Sequence, residues 1–352
     1  MSKEPACKPV IIKVDIERPE KDKIRIAAEV IRNGGLVAFP TETVYGLGAD
    51  AINPEAVASI FRAKNRPVDN PIIVHVADKE EVYKLTEDIP VMAEELMDFF
   101  WPGPLTLILK KSEIVPYVAT GGLDTVAIRM PYHRISLDLI SESGVPIAAP
   151  SANTAGKPSP TNAKHVIYDL GAKVDIVLDG GPTIIGVEST VLDMTYPTPK
   201  ILRPGVITSE ELMEFLGSID MAEIEMKNET PTSPGMKHKH YAPNSDMIVV
   251  EGGDFKIIVR KVQELAYEHM NKGKKVGIMA TSESPEYDAD IVTIAGSRAD
   301  LNTIARNLFE ILRGFDDQRV DIILVEGVEK KGIGLAIMDR LERAASHRVI
   351  RV

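Results

Sequence analysis

The chain has 352 residues, a formal net charge of -11, 44% hydrophobic and 26% charged residues, the make-up of an ordinary globular protein long enough for two cores. No apolar run approaches the roughly 20 residues that cross a bilayer, and the single Cys7 excludes an intrachain disulfide framework. The acidic balance excludes a chain that coats nucleic acid with a broad basic surface.

Residues 1–5 lead into no signal-peptide core, so a reducing cytoplasm is expected, with Cys7 incidental rather than a nucleophile. The basic residues are uneven: 61–66, 155–165 and 233–244 carry Lys or Arg but no Asp or Glu. Such loops on an acidic chain suit a pocket for a small anion, or else are chance clusters on solvated loops.

In chain order, an amphipathic helix is predicted over 21–31, ended by Asn33-Gly34-Gly35. Residues 36–39 read as a short buried strand, and the hydroxyl-rich segment 40–47 follows where α/β folds place ligand contacts. Pro54 opens a helix on which Val57, Ile60 and Phe61 recur at helical spacing. Lys64 and Arg66 leave its end on a turn fixed by Pro67, beside a strand over 71–76 carrying His75, which reads as a core or a site histidine. A helix over 91–100 is broken by Trp101-Pro102-Gly103-Pro104.

Strands follow over 105–109 and 125–130 around the turn Gly121-Gly122. Arg129 interrupts the second, either facing solvent from an edge strand or pointing into a cleft where its fork suits a carboxylate. A strand over 146–150 delivers Ser151 and Asn153, spaced by two, either as a turn pair or on one side of a ligand. Gly180-Gly181-Pro182 marks a turn, 186–192 enters a strand, and Thr208 with Glu211 forms a capping box opening a helix toward Gly217.

In the last third, strands over 247–250, 276–280 and 320–325 alternate with helices over 256–267 and 301–312, which predicts a small parallel α/β sheet. Gly332-Ile333-Gly334 lacks the third glycine of a dinucleotide fingerprint and reads as a helix-opening turn. His238 and His240, without a third ligand, make a poor metal site, so no protein-bound metal is expected.

Four pieces in order, the run Pro-Thr-Glu-Thr-Val-Tyr-Gly-Leu at 40–47, Lys64-Asn65-Arg66, Asp69-Asn70-Pro71 and Ser151-Ala152-Asn153, resemble the YrdC/Sua5 family of L-threonylcarbamoyladenylate synthases. The segment 233–243 further resembles the linker of the longer Sua5 type. The resemblance implies an α/β fold: a YrdC-like twisted mixed sheet with helices around a basic cavity at 1–217, a linker or lid at 218–245, and a smaller Rossmann-like parallel domain at 246–352.

It also implies a nucleotidyltransferase that takes ATP, L-threonine and bicarbonate or CO2 and yields threonylcarbamoyl-AMP and pyrophosphate. The product passes to the machinery for t6A modification of tRNA, with no direct tRNA binding required. No Gly-x-x-x-x-Gly-Lys-Ser/Thr loop is present, so side-chain cations must hold the phosphates. Lys64 and Arg66 are the catalytic candidates, with Arg203 as a third cation, and Mg2+ is expected to accompany ATP. Position by position, the resemblance puts Thr43, His75, Arg129, Ala149 through its backbone, and Ser189 around threonine. Asn70, Thr125, Ser151, Asn153, Ser159 and Tyr241 join the three cations around ATP; the linker carrying Tyr241 reads either as a lid that closes over the substrates or as a solvated spacer. An RNA-binding module and a hydrogenase-maturation carbamoyltransferase are the alternatives; acidity and absent aromatics near Lys64 count against the first, and the single cysteine against the second.

Overall fold

The computed structural model describes residues 8–222 and 240–352, so Cys7 and all of the 233–243 segment before His240 lie outside the described residues. The chain divides into two compact units, Met1–Ala155, Ser159–Ile184 and Glu188–Lys237 in the first, Gly156–Pro158, Ile185–Val187 and His238–Val352 in the second.

The first unit holds strands β1 (Val10–Lys13), β2 (Val37–Phe39), β3 (Gly46–Asp50), β4 (Ile73–His75), β5 (Leu105–Lys110), β6 (Thr125–Arg129), β7 (Ile147–Ala148), β8 (Ile176–Asp179), β9 (Thr190–Asp193), β10 (Lys200–Arg203) and β11 (Asp220–Met221). They form one mixed sheet in the order β1-β8-β2-β3-β7-β4-β6-β5-β9-β10-β11. In its centre β4 pairs parallel with β6, β6 antiparallel with β5, and β5 parallel with β9.

Alternation along these strands separates two faces. Val74, Leu105, Leu107, Leu109, Val126, Ile128 and Leu192 enter the main core with Val57, Ile60 and Phe61 of the helix Pro54–Lys64 and Leu96 of the helix Val91–Phe100. Ile73, Ile108, Ala127, Val191 and Leu202 cluster on the other face, and the same alternation turns His75, Thr106, Thr125 and Arg129 to that side.

Helix Pro54–Lys64 starts where Asn53 caps it, its side chain accepting from Glu55 N and Ala56 N, and stops because Asn65 adopts a left-handed φ of 52°. Helix Ser209–Leu216 carries the capping box expected from Thr208 and Glu211. Strand β3 was not legible in sequence, because Gly-Leu-Gly-Ala-Asp has poor strand propensity. Packing selects it: a Cβ at Gly48 would come within 2.7 Å of both Ile147 and Phe39, so only a bare backbone fits between them.

The second unit has strands β12 (Asp246–Glu251), β13 (Val276–Ala280), β14 (Ile291–Ile294), β15 (Ile322–Glu326) and β16 (Val349–Arg351), in the order β14-β13-β15-β12-β16 with every pair parallel. This is the small Rossmann-like sheet expected from the alternation, extended at its edges by β14 and β16. Those two were missed because they are short and partly exposed, so their sequences lack a continuous apolar run. Gly332, at φ 51°, opens the helix Ile333–Ala344, as read from sequence.

Candidate active site

The helix Pro54–Lys64 and the loop after β7 meet through one side chain. Lys64 is 1% exposed. Its Nζ donates to Ser151 O and to Asn153 O, the latter at 2.5 Å, while Ala155 N donates to Lys64 O at 2.9 Å. Ser151 Oγ in turn donates to Asn153 Oδ1 at 2.5 Å. The Lys-x-Arg and Ser-x-Asn segments, far apart in sequence, are thus one structural piece. Sequence reading put Lys64 at a helix end on a turn; the side chain there is buried, because the helix ends against the loop rather than in solvent. Burial, then the charge of Arg66, hold the Lys64 ammonium well below the ordinary lysine range. Arg66 is half-buried and braces the following turn, donating from Nε to Asn70 O at 3.3 Å and from Nη2 to Pro71 O at 3.0 Å. Asn70 is buried, and its Oδ1 has no donor.

A second cluster lies on the polar face of the sheet. Arg129 is not on an edge strand: β6 lies between β4 and β5, and the residue is 3% exposed. Its Nε donates to Gly103 O at 3.2 Å, its Nη1 to Thr43 Oγ1 at 3.0 Å, and its Nη2 is 2.6 Å from Glu42 Oε1. His75 pairs with Arg129 across β4 and β6. Burial, reinforced by the neighbouring guanidinium, lowers its pKa to about 3, so the ring is neutral. Ala149 donates its N–H to Ile73 O at 2.9 Å, which leaves its carbonyl as the backbone group for any ligand.

Three strands further along the sheet, on β10, Arg203 donates from Nε to Ser189 O and from Nη2 to Ser189 Oγ, both at 3.1 Å, and Ser189 Oγ lies 2.8 Å from Thr106 Oγ1. Ser159 donates to Glu188 Oε1 at 2.5 Å.

The strands β4, β6, β5, β9 and β10 therefore bring His75, Arg129, Ser189 and Arg203 side by side, and Lys64, Ser151 and Asn153 gather on the adjoining loop. Thr125 sits on the same face at the far end of β6, about 13 Å of strand away from Arg129. Tyr241 belongs to the second unit, where its ring stacks on Phe309 with centroids 5.3 Å apart and the Arg340 guanidinium lies 5.6 Å from its centre. Sequence reasoning passed over Glu42, Thr106, His133 and Glu188. Glu42 had a usable signal, as an acid enclosed by Thr41, Thr43 and Val44 where a solvated charge is out of place.

Residues 29–205 match the Sua5/YciO/YrdC family, described as "Telomere recombination", and residues 207–346 match "Threonylcarbamoyl-AMP synthase, C-terminal domain". The chain is 54% identical to a threonylcarbamoyl-AMP synthase of Pyrococcus abyssi over 96% of this chain and 98% of that one. It is 50% identical to the enzyme of the same name from Bacillus subtilis over 94% of each. The crystal structure of P. abyssi Sua5 complexed with L-threonine superposes with a TM-score of 0.93, covering 97% of this chain and 99% of that chain. With both halves matched and the whole length covered, the chain belongs to the two-domain Sua5 family of threonylcarbamoyl-AMP synthases.

Proposed function

We propose that this protein forms threonylcarbamoyl-AMP and pyrophosphate from L-threonine, bicarbonate or CO2, and ATP, and that the product serves t6A modification of tRNA. The observation that carries the reading is the buried junction of Lys64 with Ser151 and Asn153, in a chain 54% identical to a threonylcarbamoyl-AMP synthase. A lysine whose charge is disfavoured by burial and by a neighbouring arginine gains most from an anion, and a triphosphate supplies one.

In the proposed reaction the amine of threonine takes up CO2 as a carbamate. A carbamate oxygen then forms a bond to the α-phosphorus of ATP as the bond to the departing pyrophosphate breaks. Such a step depends on alignment and charge neutralisation, and no protein nucleophile is required. Lys64 and Arg66 neutralise the phosphates, with Arg203 as the third cation, and Asn70, Thr125, Ser151, Asn153 and Ser159 complete the nucleotide side. Thr43, His75, Arg129, the Ala149 carbonyl and Ser189 form the threonine side. Tyr241 joins the nucleotide side in this reading.

Among the described residues no three His, Cys, Asp or Glu side chains gather to hold a metal. Mg2+ therefore enters this proposal as the counter-ion that ATP carries, held by phosphate oxygens. No helix among the described residues is long and apolar enough to cross a membrane. A cytoplasmic enzyme that hands its product to a separate transferase, without itself binding tRNA, fits the acidic chain. The test is pyrophosphate release from ATP that requires both threonine and bicarbonate, with the adenylate identified by mass. Release without threonine, or no adenylate, overturns the proposal.

A further inference from the structure

The buried polar atoms around Arg129 do not balance. Arg129 Nη2 is 2.6 Å from Glu42 Oε1 but at an angle that makes no hydrogen bond, and both oxygens of Glu42 are buried without a donor. The residue is 3% exposed, so bulk solvent does not reach these oxygens.

The neighbouring hydroxyls have no donor to spare. The Thr41 hydroxyl donates to Val44 O at 2.7 Å, and the Thr43 hydroxyl lies 2.8 Å from Thr41 Oγ1, which uses both protons. His133, whose charge Glu42 favours, is nevertheless lowered to about 4 by burial, and His75, the cross-strand partner of Arg129, to about 3, so neither is a cation at neutral pH. Each of these histidines leaves Nδ1 without a partner. A carboxylate and a guanidinium with an N–H left over thus lie side by side, with two neutral imidazoles near them, and all four keep unmet valence. That is the complement of a small zwitterion: an ammonium brings three donors and a positive charge, and a carboxylate takes the remaining Arg129 hydrogens.

We propose that Glu42 receives the α-ammonium of the amino-acid substrate, beside Arg129 at its carboxylate, and thereby selects α-amino acids over the corresponding α-hydroxy acids. The inference rests on the reading that this face holds L-threonine. Glu42 and Arg129 are then a preformed pair whose opposite charges are already set side by side before the ligand arrives, which lowers the ordering cost of binding.

The full chain and its Glu42→Gln variant are titrated by calorimetry with L-threonine, with 2,3-dihydroxybutyrate, in which a hydroxyl replaces the amine, and with ATP. The unaltered protein is expected to prefer threonine by about 100-fold or more, since a site built for an N–H donor rejects the analogue that lacks it. Glu42→Gln is expected to weaken threonine by about 30-fold, to leave ATP and the hydroxy acid unchanged, and so to collapse most of the preference. Equal weakening of both acids overturns the inference, because it makes Glu42 only a prop for Arg129; undiminished threonine binding overturns it outright. Absence of threonine binding in the unaltered protein overturns the threonine reading itself. If Glu42→Gln does not fold, Glu42→Asp decides on the same ratio: loss confined to threonine supports the proposal, and equal loss of both acids defeats it.

Discussion

At the scale of single residues, Lys64 and Arg66 separate cleanly although one residue apart. Lys64→Ala leaves the Ser151 and Asn153 carbonyls without their donor in a buried place, so it should lower stability by about 2–4 kcal/mol as well as abolish adenylate formation. Arg66→Ala, at a half-buried position, should change stability by less than about 1 kcal/mol and still abolish turnover. Denaturant unfolding alongside pyrophosphate release checks both, and normal turnover in folded Arg66→Ala would remove its phosphate role. Arg129→Lys keeps a charge but gives up the fork that reaches Gly103, Thr43 and Glu42 at once. It should raise the KM for threonine about tenfold or more while leaving that for ATP within a factor of two or so. An effect on ATP alone would assign this arginine to the other substrate. Of these residues, sequence identified the chemistry of each but not its depth, because nothing local to Lys64 says that a loop nearly ninety residues later closes over it.

At the scale of elements, the register of β5, β6, β9 and β10 decides what faces the site. Ser189 is held just before β9 by Arg203 and by Thr106. That start is pinned by close backbone approach at Gly205, where a Cβ would lie 2.3 Å from Thr190 N and 2.6 Å from Ser189 C. Gly205→Ala should therefore displace the start of β9, destabilising the first unit by about 1–3 kcal/mol and raising the KM for threonine through Ser189. A variant with unaltered melting and kinetics would show that the backbone yields without moving Ser189. Helices were the more legible elements, since Asn53, Pro54, Thr208 and Glu211 carry their own start signals. Strand β3, with two glycines, carries none.

At the scale of the whole molecule, pH acts through the buried histidines. His75 and His133 have pKa values lowered to about 3 and about 4, against the ordinary value of 6.5. A group depressed in this way binds its proton in the unfolded chain first, so the stability it contributes is complete above about pH 6.5 and is lost as pH falls toward 4. Stability should decline across that window by up to about 1.4 kcal/mol per pH unit for each histidine. Melting curves from pH 7.5 to 4.5 check this, with His133→Gln expected to flatten the decline and a slope unchanged in that variant assigning the protons elsewhere.

The amino-acid sequence by itself determined the class of the fold and the chemistry available to it. Hydrophobic period and caps fixed most helices and the buried strands, and four short polar segments carried the resemblance to the family. Those are local properties, written in neighbouring residues. The tertiary structure alone decided that Lys64 is buried rather than displayed, that Arg129 lies in the middle of a sheet, that Tyr241 packs on Phe309, and that Glu42 has no donor of its own. Each depends on what a distant segment brings up against the residue, and burial, which sets whether a charge is solvated or must find a partner, exists only once those segments have met.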